Sequence, residues 1–276
     1  MKKIGFVDYY LSEWHANHYP AWISAASEEY KVAYAWAEEP VSPIDGVSNT
    51  QWCEEHRVIL CESLEELCEK SDVIVILCPS NPEKHLPYAK VVLPYKKRTY
   101  IDKTFSPDVN EAHQIFAIAK KYGTPFFSSS ALRYAEELNE VQNCRFVATV
   151  GSGQSADEYI IHQIEMVVAK IGIGATEIRA TGTEEAITFC IRYADARSAT
   201  MLFAKDAPFC IEMLGDTAAW KNIISPYFEG LIADMIRFFR EGTVSFASEQ
   251  TLEVMRLREG ALQAMRSPDQ WIPLKR

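Results

Sequence analysis

The chain has 276 residues, a length that suits two compact domains or one large α/β domain. With 48% hydrophobic and 12% aromatic residues it can bury a core, which excludes a disordered tail or a disulfide-stapled mini-scaffold. A formal charge of -10 opposes attraction to phosphate backbones and anionic lipid, so neither nucleic acid nor a membrane is an expected partner.

Ile4 to Val7 reads as a first strand and ends at Asp8, too soon for the core of a signal peptide. After such a strand a dinucleotide-binding domain carries G-x-G-x-x-G, because glycines let the backbone approach the pyrophosphate. Here the loop is Asp8-Tyr9-Tyr10-Leu11-Ser12-Glu13, and Gly5 lies inside the strand. Tyr9 and Tyr10 would obstruct backbone approach, and two carboxylates at a helix start repel a diphosphate rather than cradle it. His15 and His18 have a spacing that shares one helical face, but no third ligand lies nearby in the sequence and no metal is expected.

A second strand, Val32 to Trp36, runs into Ala37-Glu38-Glu39. Glu38 stands where an acid usually holds the adenosine ribose; the plainer reading is a solvated acidic loop. Val58 to Leu60 is a short strand, and Ser63-Leu64-Glu65-Glu66 is a capping box that starts a helix running to about Lys70. Val73 to Leu77, apolar at every position, suits a central strand covered on both faces, and the run through Cys78 is too short to span a bilayer. Tyr100 to Ile101 and Phe126 to Phe127 are further strands of this alternating β-α region. Ligands of such sheets bind beyond the carboxyl ends of the strands, which puts Cys78-Pro79-Ser80-Asn81 and Asp102-Lys103-Thr104 on a cleft rim. Ser106-Pro107 and Gly123 bracket a helix over residues 107 to 122.

The expected domains are 1–128, a Rossmann-like parallel sheet, and 129–276, an α+β domain with a mainly antiparallel open sheet. In the second, Cys144 to Val150 is a strand and Ser155-Ala156-Asp157-Glu158 a capping box whose helix Gly172 ends. Strands follow at about 176–183, 186–193, 197–204 and 208–214, then helices at about 224–241 and 249–266, the last with Ser248 as its cap. Glu158, His162 and Glu165 fall within about 60° on the first of these helices, away from its apolar side. They are a polar site, or simply a capping carboxylate with an exposed i,i+4 pair. The seven cysteines are scattered, without a C-x-x-C pair, and read as reduced, mostly buried thiols.

Three segments now carry a resemblance. SDVIVILCPSNPEKHLPYA with YIDKTFSPDVNEAHQIFAIAKKYGTPFF, then EYIIHQIEMVVAKIG, and more weakly WHANHYPAW, resemble in order and spacing the Gfo/Idh/MocA oxidoreductases. The resemblance implies an NAD(P)-dependent oxidoreductase acting on a hydroxyl or carbonyl of a sugar-like or cyclitol substrate. Asp102-Lys103-Thr104 takes the place of the family's E-K-P motif, and Lys103 and His162 become the acid–base pair with Glu158 orienting the imidazole. Asp8, Tyr9, Tyr10, His15, Glu38, Cys78, Pro79, Ser80, Asn81, Asp102 and Lys103 then fall on the cofactor side, for NAD or NADP. Arg133, Tyr134 and Glu165 fall on the substrate side. His85, two residues beyond the family's usual histidine position, reads as a surface residue. The short first apolar stretch and the lack of a membrane-length run read as a cytoplasmic protein, and the resemblance further implies a homodimer or homotetramer. Loss of all three loop glycines motivates the alternative: a catalytically silent relative that binds a small ligand or a protein partner without NAD(P).

Overall fold

The computed structural model describes residues 1–183 and 185–275. These divide into two compact units, the first formed by Met1–Ser129 with Ile232–Ser245, the second by Ser130–Leu231 with Phe246–Arg276.

In the first unit six parallel strands, β1 (Lys2–Asp8), β2 (Tyr30–Ala37), β3 (Ile59–Leu60), β4 (Val73–Ile76), β5 (Thr99–Ile101) and β6 (Phe126–Phe127), take the order β3-β2-β1-β4-β5-β6. This is the doubly wound order, whose direction reverses between β1 and β4 and opens a crevice at their carboxyl ends. The expected strands are all present. All four residues of β4 are buried, as its unbroken apolar run requires. Helices α1 (Trp14–Ala26), α2 (Asn49–His56), α3 (Leu64–Lys70), α4 (His85–Val92) and α5 (Val109–Tyr122) connect the strands. Gly5 is in β1 because α3 packs directly on it: a Cβ there would lie 2.3 Å from Ser71 Oγ and 2.6 Å from Leu67 Cδ2. Gly123 ends α5 in the left-handed region at φ 68°. The cap of α5 is Asp108 rather than Ser106: its carboxylate accepts from Glu111 N at 2.9 Å, while the Ser106 hydroxyl donates to the Asp108 carbonyl.

The second unit holds a seven-stranded sheet of β7 (Phe146–Gly151), β8 (Ala175–Gly182), β9 (Ala186–Tyr193), β10 (Ser198–Ala204), β11 (Cys210–Leu214), β12 (Ala218–Asn222) and β13 (Ile272–Pro273). Its order is β12-β11-β7-β10-β9-β8-β13, antiparallel except where β7 pairs with β10. Helices α6 (Ala156–Ile171) and α8 (Glu249–Arg266) pack against it, burying Ile160, Ile164 and Val167 with Val254, Leu257 and Ala261. The two expected helix starts form without their expected caps, since neither the Ser155 nor the Ser248 side chain makes a capping hydrogen bond. Helix α7 (Tyr227–Glu241) passes from the second unit into the first, where Phe238 and Phe239 pack on Phe127 and Tyr30.

Among the described residues no helix is long and apolar enough to cross a membrane. Six of the seven cysteines are buried and Cys190 is half-buried; none forms a disulfide.

Candidate functional site

The carboxyl ends of β1, β4 and β5 bring five of the sequence-predicted cofactor residues together: Asp8, Tyr9, His15, Cys78 and Asp102. Asp8 ends β1 and is 1% exposed, and its Oδ1 accepts from Tyr9 N at 2.7 Å and Cys78 N at 3.1 Å. Oδ2 makes no hydrogen bond among the described residues. Burial, followed by the neighbouring Glu13 carboxylate, pushes the Asp8 carboxyl well above the usual range. Burial and Asp8 likewise push the Cys78 thiol up, which leaves it unreactive.

The His15 imidazole lies between two carboxylates, with Nδ1 3.4 Å from both Glu13 Oε2 and Asp102 Oδ2. Asp102 Oδ1 accepts from Tyr100 OH at 2.8 Å. His15 is buried and His18 half-buried, and both rings meet the exposed Trp14, edge-on at 5.1 Å and stacked at 4.4 Å between centroids.

Glu13 fixes what the first helix can bind. It is the N-cap of α1, and its carboxylate accepts from His15 N at 2.8 Å and from Ala16 N. Those backbone N–H groups are what a doubly wound domain offers to a pyrophosphate. A helix N-terminus stabilises an anion by about 0.3–1 kcal/mol, up to ~2 in partly buried sites. Two like charges about 4 Å apart repel by roughly 4 kcal/mol at an effective dielectric of ~20. With Glu13 in place repulsion exceeds attraction, and the residues present do not fit a dinucleotide seated in the usual way.

The expected ribose acid is engaged as well. Glu38 accepts from Lys84 Nζ at 2.6 Å and Tyr88 OH at 2.8 Å, and the lysine hydrogen bond holds its carboxyl below the usual range. Tyr9 donates to Glu39 at 3.2 Å, and Lys84 lies 4.4 Å from the Tyr9 ring centroid. Tyr10 packs its ring 5.9 Å from that of Tyr9. Glu38 is thus not a free solvated acid, and the ends of β1, β2 and β4 are tied together. Pro79 is half-buried, Ser80 is exposed, and Asn81 donates to Glu83 at 3.0 Å. Lys103 is half-buried after β5, and its ammonium makes no ion pair among the described residues.

His85 is a correction. It is fully buried, with Nε2 2.6 Å from the Leu77 carbonyl and Nδ1 3.0 Å from the Phe105 carbonyl, and burial lowers its pKa. It spans the carboxyl end of β4 and the loop that carries Lys103. The surface reading failed because neither periodicity nor a partner residue type marks a side chain whose partners are backbone carbonyls.

The second unit holds its own polar cluster. Glu165 is buried rather than facing solvent with its helical neighbours: Oε2 accepts from Arg133 Nε at 2.7 Å and Oε1 from Ser130 N at 3.2 Å. Arg133 also donates through Nη1 to Gln250 at 2.6 Å and lies 4.1 Å from the Phe246 ring centroid. Its buried Nη2 has no hydrogen-bond partner among the described residues. His162 Nδ1 is 2.7 Å from Ser130 Oγ, and the ring lies between Tyr159 at 5.7 Å and Phe209 at 6.1 Å. Tyr134 is half-buried, its Cβ against Gly230, and Glu158 is half-buried in the first turn of α6. Lys103 belongs to the first unit and His162 to the second. A further cavity of about 810 Å³ opens at the start of α6, lined by Ser152, Ser155, Tyr159, Lys205, Asp206 and Met265.

No family model and no curated protein matches the chain. Solved structures do. A scyllo-inositol dehydrogenase from Lactobacillus casei with bound NAD(H) and scyllo-inositol superposes with a TM-score of 0.78 at 13% identity, over 99% of both chains. A UDP-N-acetylglucosamine 3-dehydrogenase from Acidithiobacillus ferrooxidans also gives 0.78, at 12% identity over 97% of this chain and 98% of the other. An NAD-binding protein from Listeria innocua gives 0.73, at 12% identity over 99% and 96%. The fold is therefore that of these dehydrogenases, a Rossmann-like sheet domain followed by a mainly antiparallel α+β domain.

Proposed function

We propose that the chain binds a small, neutral, polyhydroxylated ligand of the sugar or cyclitol kind through its second unit, with no dinucleotide on its first helix. The carrying observation is the Glu13 carboxylate on the N–H groups of His15 and Ala16. Arg133 supports the ligand class. Glu165 already balances its charge, while Nη2 still lacks an acceptor. A hydroxyl or carbonyl oxygen supplies that acceptor; a ligand carboxylate would be desolvated without a counter-charge. In this reading Arg133, Tyr134 and His162 meet the ligand, and Glu165 and Glu158 orient them. Titration calorimetry against neutral cyclitols and aldoses should give saturable binding that Arg133→Lys weakens. Binding confined to uronic acids or sugar phosphates would overturn the reading.

A second reading is favoured by the NAD(H)-bound neighbour and by the Lys103 ammonium, which makes no ion pair among the described residues. It is an oxidoreductase on a hydroxyl or carbonyl of a sugar-like or cyclitol substrate, with Lys103 and His162 as acid–base pair and NAD or NADP held away from the first helix N-terminus. Polyol-dependent reduction of NAD or NADP, abolished by Lys103→Ala and by His162→Ala separately, would establish it in place of the first.

A further inference from the structure

His85 opens α4 and is fully buried, so it presents no surface to a substrate. Its two ring nitrogens face backbone carbonyls from two different parts of the first unit. Nε2 lies 2.6 Å from the Leu77 oxygen, just beyond β4, and Nδ1 lies 3.0 Å from the Phe105 oxygen, in the segment that carries Lys103. A carbonyl oxygen only accepts. Each contact is therefore a hydrogen bond only while the nitrogen beside it carries a proton.

A neutral imidazole carries one N–H and an imidazolium carries two. The neutral ring thus holds one of the two segments and turns a lone pair toward the other, a buried meeting of two acceptors that is unfavourable. One added proton replaces that contact with a second, charge-assisted hydrogen bond. Burial, the largest influence, lowers the pKa of the ring; the Leu77 and Phe105 carbonyls, the Asp102 carboxylate at the end of β5 and the Thr104 backbone raise it. The other charged groups around α4 are engaged elsewhere. Lys84 donates to Glu38, Glu83 accepts from Asn81, Lys70 of α3 pairs with Glu66, and Glu111 of α5 interacts with Asp108 and Lys90. We infer that His85 is a positioning residue that acts as a proton-dependent clamp: its protonated ring ties the end of β4 to the segment carrying Lys103, and its neutral ring keeps only the closer Leu77 carbonyl. The Lys103 side is then the one released as pH rises. The inference rests on the oxidoreductase reading only for the task of Lys103, and on the ring with its two carbonyls for the clamp itself.

NMR of the ligand-free protein, following ring nitrogen-15 and carbonyl carbon-13 shifts from about pH 4 to about pH 9, tests it. The His85 ring is assigned by its loss in His85→Gln or, should that variant not fold, by its persistence in single variants of the other histidines. It should carry protons on both nitrogens at the acid end and on Nε2 alone at neutral pH, with a midpoint below the usual histidine value of about 6.5. The Phe105 carbonyl carbon should shift with the same midpoint. A ring that keeps one protonation state throughout would overturn the inference, and so would a ring that titrates while the Phe105 carbonyl stays still. Turnover separates this outcome from that of the function. If the clamp titrates as expected but no polyol reduces NAD or NADP, the oxidoreductase reading fails and the clamp stands; if turnover depends on Lys103 while His85 keeps one state, the clamp fails and the reading stands.

Discussion

In both units the first strand is followed by a loop and a helix, and the starts of the two helices are treated in opposite ways. In the first, Asp8-Tyr9-Tyr10-Leu11-Ser12-Glu13 brings its own carboxylate onto the N–H groups of α1. In the second, Gly151-Ser152-Gly153-Gln154-Ser155 contains glycines, and the Ser155 side chain leaves the N–H groups of α6 uncapped. Charge follows the same division. The first unit gathers Asp8, Glu13 and Asp102 at its strand ends, where burial raises the Asp8 pKa and His15 lies within 3.4 Å of the other two. The second pairs its buried acid, Glu165, with Arg133. A fold whose anion seat is expected in the first unit thus has that seat filled.

The contrast predicts a graded set of stability effects. Arg133→Ala strands a buried carboxylate and should cost about 3–5 kcal/mol in denaturant unfolding. Lys84→Ala removes the partner of half-exposed Glu38 and should cost no more than about 1 kcal/mol, less at high salt. A similar loss in both would mean that the buried pair is not special. Glu13→Ala removes a cap that is made and should cost about 1 kcal/mol, against roughly 0.5 or less for Ser155→Ala, whose side chain caps nothing. Equal costs would break the comparison between the two helix starts.

Asp8 gives the smallest effect and the sharpest sign. Its folded pKa is raised, so the folded state binds more protons than the unfolded state, and stability is lost as pH rises from about 4 through the folded value. Asp8→Asn keeps an oxygen for Tyr9 N and Cys78 N without the titration. It should raise the unfolding midpoint by about 1 °C at neutral pH and by less near pH 4. A variant that gained more at acid pH than at neutral pH would reverse the assigned sign.

Much of this was legible in the residues. Runs of four or five residues marked β1, β2 and β4 because buried parallel strands need apolar side chains on both faces, and runs of two or three marked β3, β5 and β6. The missing glycines and the acids at 8 and 13 announced a poor pyrophosphate seat; that Glu13 would itself take the N–H groups is a matter of side-chain conformation that spacing does not encode. The helical angle placed Glu165 correctly beside Glu158 and His162, yet said nothing of what would cover that face. Arg133 and Ser130 cover it, and a run of three serines carries no signal as to which one is buried against an imidazole. Capping boxes failed at Ser155 because the pattern fixes which groups are near, whereas rotamers decide whether they bond.

The central claim is that the first helix carries its own anion in place of a pyrophosphate. Calorimetric titration of the wild-type protein with NAD and with NADP at low ionic strength tests it most directly. The account predicts no saturable heat from either up to millimolar concentration; saturable binding of either in the micromolar range would contradict it.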